Sequence, residues 1–279
     1  MIFDIKELTL QDGPGLRTTV FFKGCPLRCA WCHNPEGISP QPQLLVSRNG
    51  CAGCGRCRRP CGHPECRPFD RCVHICPQNL IKIAGQIYDD AALAEQLLSQ
   101  AEDLAFSGGG ITFSGGEPLA QPEFLLALLN RLARIDTVVE TSGYARETVF
   151  RQVTRACTRM YVDIKLLEPE RHRQWTGVDN EPILRNLTWL KQQDRPYVIR
   201  IPLIPGINDE PAHLKRIAVW LSDARTLPQQ VELMPYNPLA GAKYPMAGRD
   251  FTLDIRQEQN LAAVPLDEFS RLGMTGVIL

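Results

Sequence analysis

The stretch Thr18-Thr-Val-Phe-Phe22-Lys-Gly-Cys25-Pro-Leu-Arg-Cys29-Ala-Trp-Cys32 runs an apolar, β-branched and aromatic segment straight into three cysteines spaced C-x3-C-x2-C. The apolar half has the composition of a strand, entered by the turn-forming Asp12-Gly-Pro-Gly15 and left at Gly24. Three thiolates this close together can converge on one soft centre, and thiolate sets select zinc or iron–sulfur clusters. A structural zinc ion needs a fourth ligand. His33 is adjacent, but neighbouring positions rarely reach one ion together, and the spacing departs from C-x2-C knuckles. A cluster held by three cysteines instead leaves one iron open to a substrate.

Working outward from this stretch, strand-like runs recur at Gly110–Ser114, Thr137–Glu140, Met160–Ile164, Tyr197–Ile201 and Val231–Met234. Helical patterns lie between them at 122–134, 145–156, 180–192 and 211–223, and one long helix is expected over Asp90–Leu104. Strands alternating with helices of this length indicate parallel βαβ units. With Thr18–Phe22 they make six strands, which points to an α/β fold, a partial (β/α)6 barrel, with a doubly wound open sheet as the alternative. Polar residues follow the strands at their C-terminal ends: Cys25, Ser114-Gly-Gly-Glu117, Glu140-Thr-Ser-Gly143, Asp163-Ile-Lys165, Arg200 and Tyr236-Asn237. Parallel α/β folds bind ligands at that face.

The 279 residues carry 31 Lys plus Arg against 31 Asp plus Glu, so no basic excess speaks for nucleic acid and no field draws the chain to an anionic membrane. No apolar run is long enough to span a bilayer, and the N-terminal Met1–Glu7 has no signal-peptide h-region. A reduced, cytoplasmic setting is expected, where clustered cysteines bind metal more often than they form a disulfide framework. Ten of the 11 cysteines fall between Cys25 and Cys76.

The triplet with Trp31 before its last cysteine resembles the radical S-adenosylmethionine superfamily. The flanks Asp12-Gly-Pro-Gly-Leu-Arg17, Phe21-Phe-Lys-Gly-Cys25 and Trp31-Cys-His-Asn-Pro-Glu36 resemble the glycyl-radical-enzyme activating enzymes, such as the activator of pyruvate formate-lyase, and the resemblance runs from Phe3 to Tyr244. It implies a catalytic 4Fe-4S cluster on Cys25, Cys29 and Cys32, whose open iron takes the amino and carboxylate groups of S-adenosylmethionine. It implies reductive cleavage to methionine and a 5′-deoxyadenosyl radical, which takes hydrogen from a glycine of a partner enzyme. It also suggests flanking Trp31 and His33 at the cofactor, with Gly115-Gly116-Glu117 as the family's GGE motif and Glu117 accepting from the ammonium group. Glu140 stands where the family usually has Asp. Asp163-Ile164-Lys165 corresponds to its D-x-K segment, and Arg200 opens its R-x-P-x-x-P-G segment. Asn237 stands where the family commonly has His. Gly108-Gly-Gly110 is expected to be a flexible turn, Cys157 a buried small hydrophobe, and His172 and His213 residues on polar faces.

Residues 34–84 hold the other seven clustered cysteines and too little periodic apolar sequence to form a core unaided. The chain is therefore expected to divide into a barrel, 1–33 and 85–279, and an iron–sulfur insert, 34–84. Cys51, Cys54, Cys57 and Cys61 fit the ferredoxin C-x2-C-x2-C-x3-C spacing. Cys66, Cys72 and Cys76-Pro fit it again, except that Phe69 takes the place of the second cysteine. Because the fourth cysteine of each ferredoxin run serves the other cluster, Cys51, Cys54, Cys57 and Cys76 make one complete auxiliary 4Fe-4S set. Cys61, Cys66 and Cys72 remain for a second auxiliary cluster, completed by Asp70 or water, or for zinc. His63 and His74 stand near these ligands in sequence. Expected partners are a glycyl radical enzyme like pyruvate formate-lyase and a flavodoxin or ferredoxin reductant, with the chain acting as a monomer. The alternatives are a radical enzyme acting on a small molecule and an iron–sulfur electron-transfer module.

Overall fold

A computed structural model describes residues 1–255 and 259–279. Along the chain come β1 (Ile2–Thr9), β2 (Arg17–Phe22), β3 (Gln43–Val46), β4 (Ile81–Ala84), β5 (Gly110–Gly115), β6 (Thr137–Thr141), β7 (Arg159–Asp163), β8 (Tyr197–Leu203), β9 (Gln230–Pro235) and β10 (Gly276–Ile278). The helices are α1 (Asp90–Leu98), α2 (Ala101–Phe106), α3 (Pro122–Arg131), α4 (Glu147–Ala156), α5 (Pro169–Thr176), α6 (Glu181–Lys191), α7 (Pro211–Ser222) and α8 (Leu266–Arg271).

One sheet runs β1-β2-β5-β6-β7-β8-β9-β10. From β2 onward every pairing is parallel, and strands follow one another in chain order. A doubly wound sheet must reverse its strand order at a switch point, and this sheet has none. Winding in one direction is barrel topology, and the six expected strands are its central six. The sheet extends beyond them at both edges: β1 pairs antiparallel with β2, and the three-residue β10 pairs with β9.

Strand alternation divides the sheet into two faces. Phe22, Phe113, Val139, Val162, Ile199, Ile201 and Leu233 join helix residues such as Leu125, Phe150, Leu187 and Ile217 in one apolar core. Glu140, Tyr161, Asp163, Arg200 and Glu232 lie on the opposite, inner face, where Arg200 meets both Glu140 and Glu232 and lies 4.6 Å from the Tyr161 ring centre. Parallel strands packed between two apolar layers read apolar throughout; this polar inner face marks an interior reserved for something other than side-chain packing.

Three expectations change. The single helix over Asp90–Leu104 is two, because the chain turns at Ser99-Gln100. Gly108-Gly-Gly110 is a tight joint rather than a loose turn, since a Cβ on Gly109 would stand 1.8 Å from the Leu16 carbonyl oxygen. His172 and His213 are buried: Nδ1 of His172 lies 2.8 Å from the Val178 carbonyl oxygen, and Nδ1 of His213 lies 3.4 Å from Glu168. Cys157 is buried against Met160, as a small hydrophobe. Among the described residues no helix is long and apolar enough to cross a membrane.

The cysteine-rich segment is tied off by β3 and β4, which pair antiparallel from Gln43–Ala84 to Val46–Ile81. Its core is small: buried Cys66, Val73 and Ile81, with Leu44, Val46, Phe69 and Ile83 packed around them. Phe69, in the place of a ferredoxin cysteine, adds apolar surface there. Pro35–Ile38 pack against the barrel instead, with Gly24 and Cys25 donating backbone hydrogen bonds to Gly37 and Ile38.

Candidate functional site

β2 delivers Cys25 to the C-terminal rim of the sheet, and the loop that follows is pinned on both sides. The Arg28 and Ala30 amides donate to the Thr176 and Trp175 carbonyls at 2.7 and 3.0 Å, which docks the loop on the end of α5. Trp31 is buried with Leu166, Ile204 and Ile207, beyond the ends of β7 and β8. The indole therefore anchors the triplet to strands far away in sequence. Glu36 is buried at the other end of the loop, where Lys243 binds it at 2.8 Å and Asn34 at 3.0 Å. His33 is exposed.

Burial pushes the thiols of Cys25, Cys29 and Cys32 up, that of Cys29 to about 12. A thiol in such a place keeps its proton unless a cation replaces it, and iron or zinc is such a cation. Lys165 is a protein cation that acts on the Cys29 and Cys32 thiols. Burial alone would lower its pKa, but Asp163, at 2.7 Å, and the neighbouring Cys29 outweigh burial and hold it raised. A charged ammonium thus sits beside the thiols, with a carboxylate at its side. Both ends of a zwitterion have a counterpart here.

The GGE segment works through its backbone and through burial. The Glu117 amide donates to the Gly24 carbonyl at 2.9 Å. A Cβ on Gly116 would stand 2.5 Å from the Gly37 oxygen and 2.6 Å from the Gly24 oxygen, so only glycine lets the three chain segments meet. Glu117 is fully buried, and its carboxylate accepts from the Leu119 and Ser142 amides and from the Thr141 and Ser142 hydroxyls. Its acceptor capacity is spent within the protein. In place of the expected contact with an ammonium group, Glu117 fixes the Thr141–Ser142 turn at the end of β6.

Glu140 accepts from Ser114 and pairs with Arg200. Arg200 also binds Glu232 at 2.7 Å and the Gln11 carbonyl at 2.9 Å, closing the interior from β8 across to the β1–β2 loop. Burial raises the Glu140 pKa, and the Arg200 guanidinium opposes the rise. Glu232 is a site residue the motif reading missed; its signal was a lone carboxylate inside the apolar run Val231-Glu-Leu-Met234. Ile164 is buried and offers the site only its backbone, whose amide donates to Arg200. Asn237 stands apart: it is exposed, and its Oδ1 accepts from the Leu239 amide to cap a short helical turn.

An open cleft of about 390 Å³ meets Cys25, bounded by Gly24, Pro26, Arg28, Pro40, Ala120 and Tyr144. A second, of about 150 Å³, meets Cys29 between Ile38, Tyr244 and Arg249. The first is within the range of small-molecule sites, and the second is smaller than that range.

In the insert, Cys51 and Cys54 are exposed, while Cys57 and Cys76 lie half-buried against the small core. Cys61, Cys66 and Cys72 bring their sulfurs within 4.8 Å of one another. Asp70 is exposed and belongs to no such group; His63 and His74 do, together with Cys66.

The profile of the Radical SAM superfamily matches residues 19–217. The choline trimethylamine-lyase activating enzyme of Oleidesulfovibrio alaskensis is 35% identical over 276 residues, covering 91% of this chain and 89% of that protein. The 4-hydroxyphenylacetate decarboxylase activating enzyme of Clostridium scatologenes is 33% identical, covering 90% and 87%. A crystallised domain of pyruvate-formate lyase-activating enzyme from Bacteroides vulgatus superposes with a TM-score of 0.52 at 31% identity, over 61% of this chain and 99% of that one. A radical SAM methyltransferase from Sphaerobacter thermophilus shares the fold, with a TM-score of 0.57 at 14% identity over 100% of this chain and 76% of that one. Barrel topology, a pinned cysteine triplet and relatives matched over nearly their whole length agree: the chain belongs to the radical SAM superfamily and, within it, to the glycyl-radical-enzyme activating enzymes.

Proposed function

We propose that this chain is an oxidoreductase that activates a glycyl radical enzyme of the pyruvate formate-lyase type in the cytoplasm, as a monomer reduced by a flavodoxin or ferredoxin. The observation that carries the site assignment is the half-buried trio of thiols, held on a loop docked to α5 and raised in pKa, beside the Lys165–Asp163 pair. Cys25, Cys29 and Cys32 are the ligands of the catalytic 4Fe-4S cluster. With the cluster and S-adenosylmethionine bound, reductive cleavage supplies a 5′-deoxyadenosyl radical that takes a hydrogen atom from a glycine of the partner.

The chain's own residues position and shield. Trp31 and the Arg28 and Ala30 amides hold the triplet loop. Lys165 and Asp163 offer opposite charges to the carboxylate and ammonium of S-adenosylmethionine. Gly115 and Gly116 allow close backbone approach, and Glu117 sets the β6 turn that forms the adjoining wall. Arg200, held by Glu140 and Glu232, keeps the interior polar and ordered beneath the reacting groups. The chain divides into a barrel, 1–33 and 85–279, and an insert, 34–84. In the insert Cys51, Cys54, Cys57 and Cys76 hold an auxiliary 4Fe-4S cluster that passes electrons inward.

The test is to mix the reduced protein, S-adenosylmethionine and candidate glycyl radical enzymes anaerobically and record electron paramagnetic resonance. A glycyl doublet on one partner is expected. Cofactor cleavage with no protein radical on any of them would overturn the partner reading.

A further inference from the structure

The cysteines of this chain are spaced for two different kinds of metal. Among the described residues, two sets of three ligating side chains bring all their ligand atoms within 4.8 Å of one another: Cys61, Cys66 and Cys72, and His63, Cys66 and His74. Neither the Cys25 triplet nor the Cys51, Cys54, Cys57 and Cys76 set is so compact. The difference is chemical. In a cubane each thiolate binds its own iron, which keeps the sulfurs on the order of 6 Å apart. Ligands of one tetrahedral ion with bonds of about 2.3 Å stand about 3.8 Å apart. The compact set matches one ion.

The surroundings match it too. Cys66 is fully buried, and its sulfur accepts from the Val73 amide at 3.5 Å, as metal-bound thiolates commonly do. The His63 and His74 rings meet edge-on, with centres 5.0 Å apart. Glu65 singles out one of them: its carboxylate lies 3.0 Å from Nε2 of His74 and 3.9 Å from Nδ1 of His63. A carboxylate on one ring nitrogen is the arrangement that orients a metal-binding imidazole through the other, here Nδ1.

We propose that Cys61, Cys66 and Cys72 hold a mononuclear zinc ion in place of a second auxiliary cluster, and that His74, whose set shares only Cys66 with theirs and whose ring Glu65 orients, turns in as the fourth ligand when the ion binds. Zinc suits three soft thiolates and one imidazole in a closed, structural shell. The absent ferredoxin cysteine then ceases to be a gap. Phe69 packs the core beside the ion, and the fourth ligand comes from five sequence positions further on.

The full chain, purified anaerobically, is analysed for zinc, iron and sulfide beside its Cys66→Ser variant. The expected result is loss of about one zinc per chain with iron and sulfide unchanged. Loss of about four iron and four sulfide would show a cubane and overturn the proposal. No change in any metal would overturn it as well. Because Cys66→Ser could disturb the small core, two further measurements are made. Cobalt(II) added to the zinc-depleted wild type should give the thiolate charge-transfer and intense d–d bands of a tetrahedral centre; octahedral bands would contradict the site. His74→Ala should speed zinc release to a chelator about 10- to 100-fold, with His74→Cys restoring slow release. Unchanged release from His74→Ala would remove His74 from the ligand set. None of these outcomes bears on the Cys25 triplet or on the activation reading.

Discussion

Two cysteine-rich loops, a few dozen residues apart in sequence, are built on opposite principles. The Cys25–Cys32 loop is held by protein: strand β2 delivers it, four backbone hydrogen bonds pin it and Trp31 is sunk into the far side of the barrel. Residues 47–80 have only two buried side chains, Cys66 and Val73, for a core that also draws on Ile81 of β4. In the first region the protein fixes the metal; in the second the metal fixes the protein. A loop that keeps its shape without help from its ligands can leave one iron position open for a substrate. A segment that depends on its metal for shape must have its coordination closed.

Cys29→Ala breaks the comparison on the barrel side and has the largest expected effect. Formation of 5′-deoxyadenosine, followed by chromatography, should fall to background, while circular dichroism and the iron of the insert are retained. Cys54→Ala is its counterpart. It should remove about four iron without abolishing cofactor cleavage by a strong chemical reductant.

Metal removal sharpens the contrast next. Structural metal binding supplies folding free energy of about 10–16 kcal/mol in zinc-finger peptides, and the small core of the insert has little else. Stripped of metal, the chain should be cut by trypsin at Arg48, Arg56, Arg58 and Arg71 at least about tenfold faster, leaving the barrel folded. Equal protection of insert and barrel would erase the distinction.

Arg200→Met tests what holds the barrel interior when the metal does not. It leaves Glu140 and Glu232 buried without their cation, at a cost of about 3–5 kcal/mol in chemical denaturation. Adding Glu140→Gln and Glu232→Gln should recover much of it.

The smallest effect lies at the junction. Lys23, at the end of β2, donates to the Glu36 carbonyl and to Gln43 on β3, joining barrel to insert. Burial lowers its pKa from 10.5 to about 8. Between those values the unfolded chain holds the proton that the folded chain has released, so stability should rise with pH across that window. Lys23→Met should flatten the rise, seen as a lost pH dependence of Tm.

Much of this was legible in the sequence because strand period and motif spacing are local properties. The six central strands, the triplet and the polar residues at strand ends all follow from short windows. What was hidden depends on the third dimension. β10 is three residues long, too short to show a period, and β1 is an antiparallel edge outside the βαβ rhythm. Glu117 matched a motif, but only the fold shows its carboxylate enclosed by four donors. Glu232 acquires meaning only beside Arg200 on the neighbouring strand. His63 and His74 looked incidental until Glu65 and Cys66 stood next to them.

The most direct test of the division between the two regions is electron paramagnetic resonance of the dithionite-reduced protein, with and without S-adenosylmethionine, in wild type and Cys29→Ala. The expected result is that S-adenosylmethionine shifts one iron–sulfur signal in the wild type, that this signal is missing in Cys29→Ala, and that the remaining signal ignores the cofactor. A signal in Cys29→Ala that still responds to S-adenosylmethionine would place the open iron in the insert and contradict the assignment.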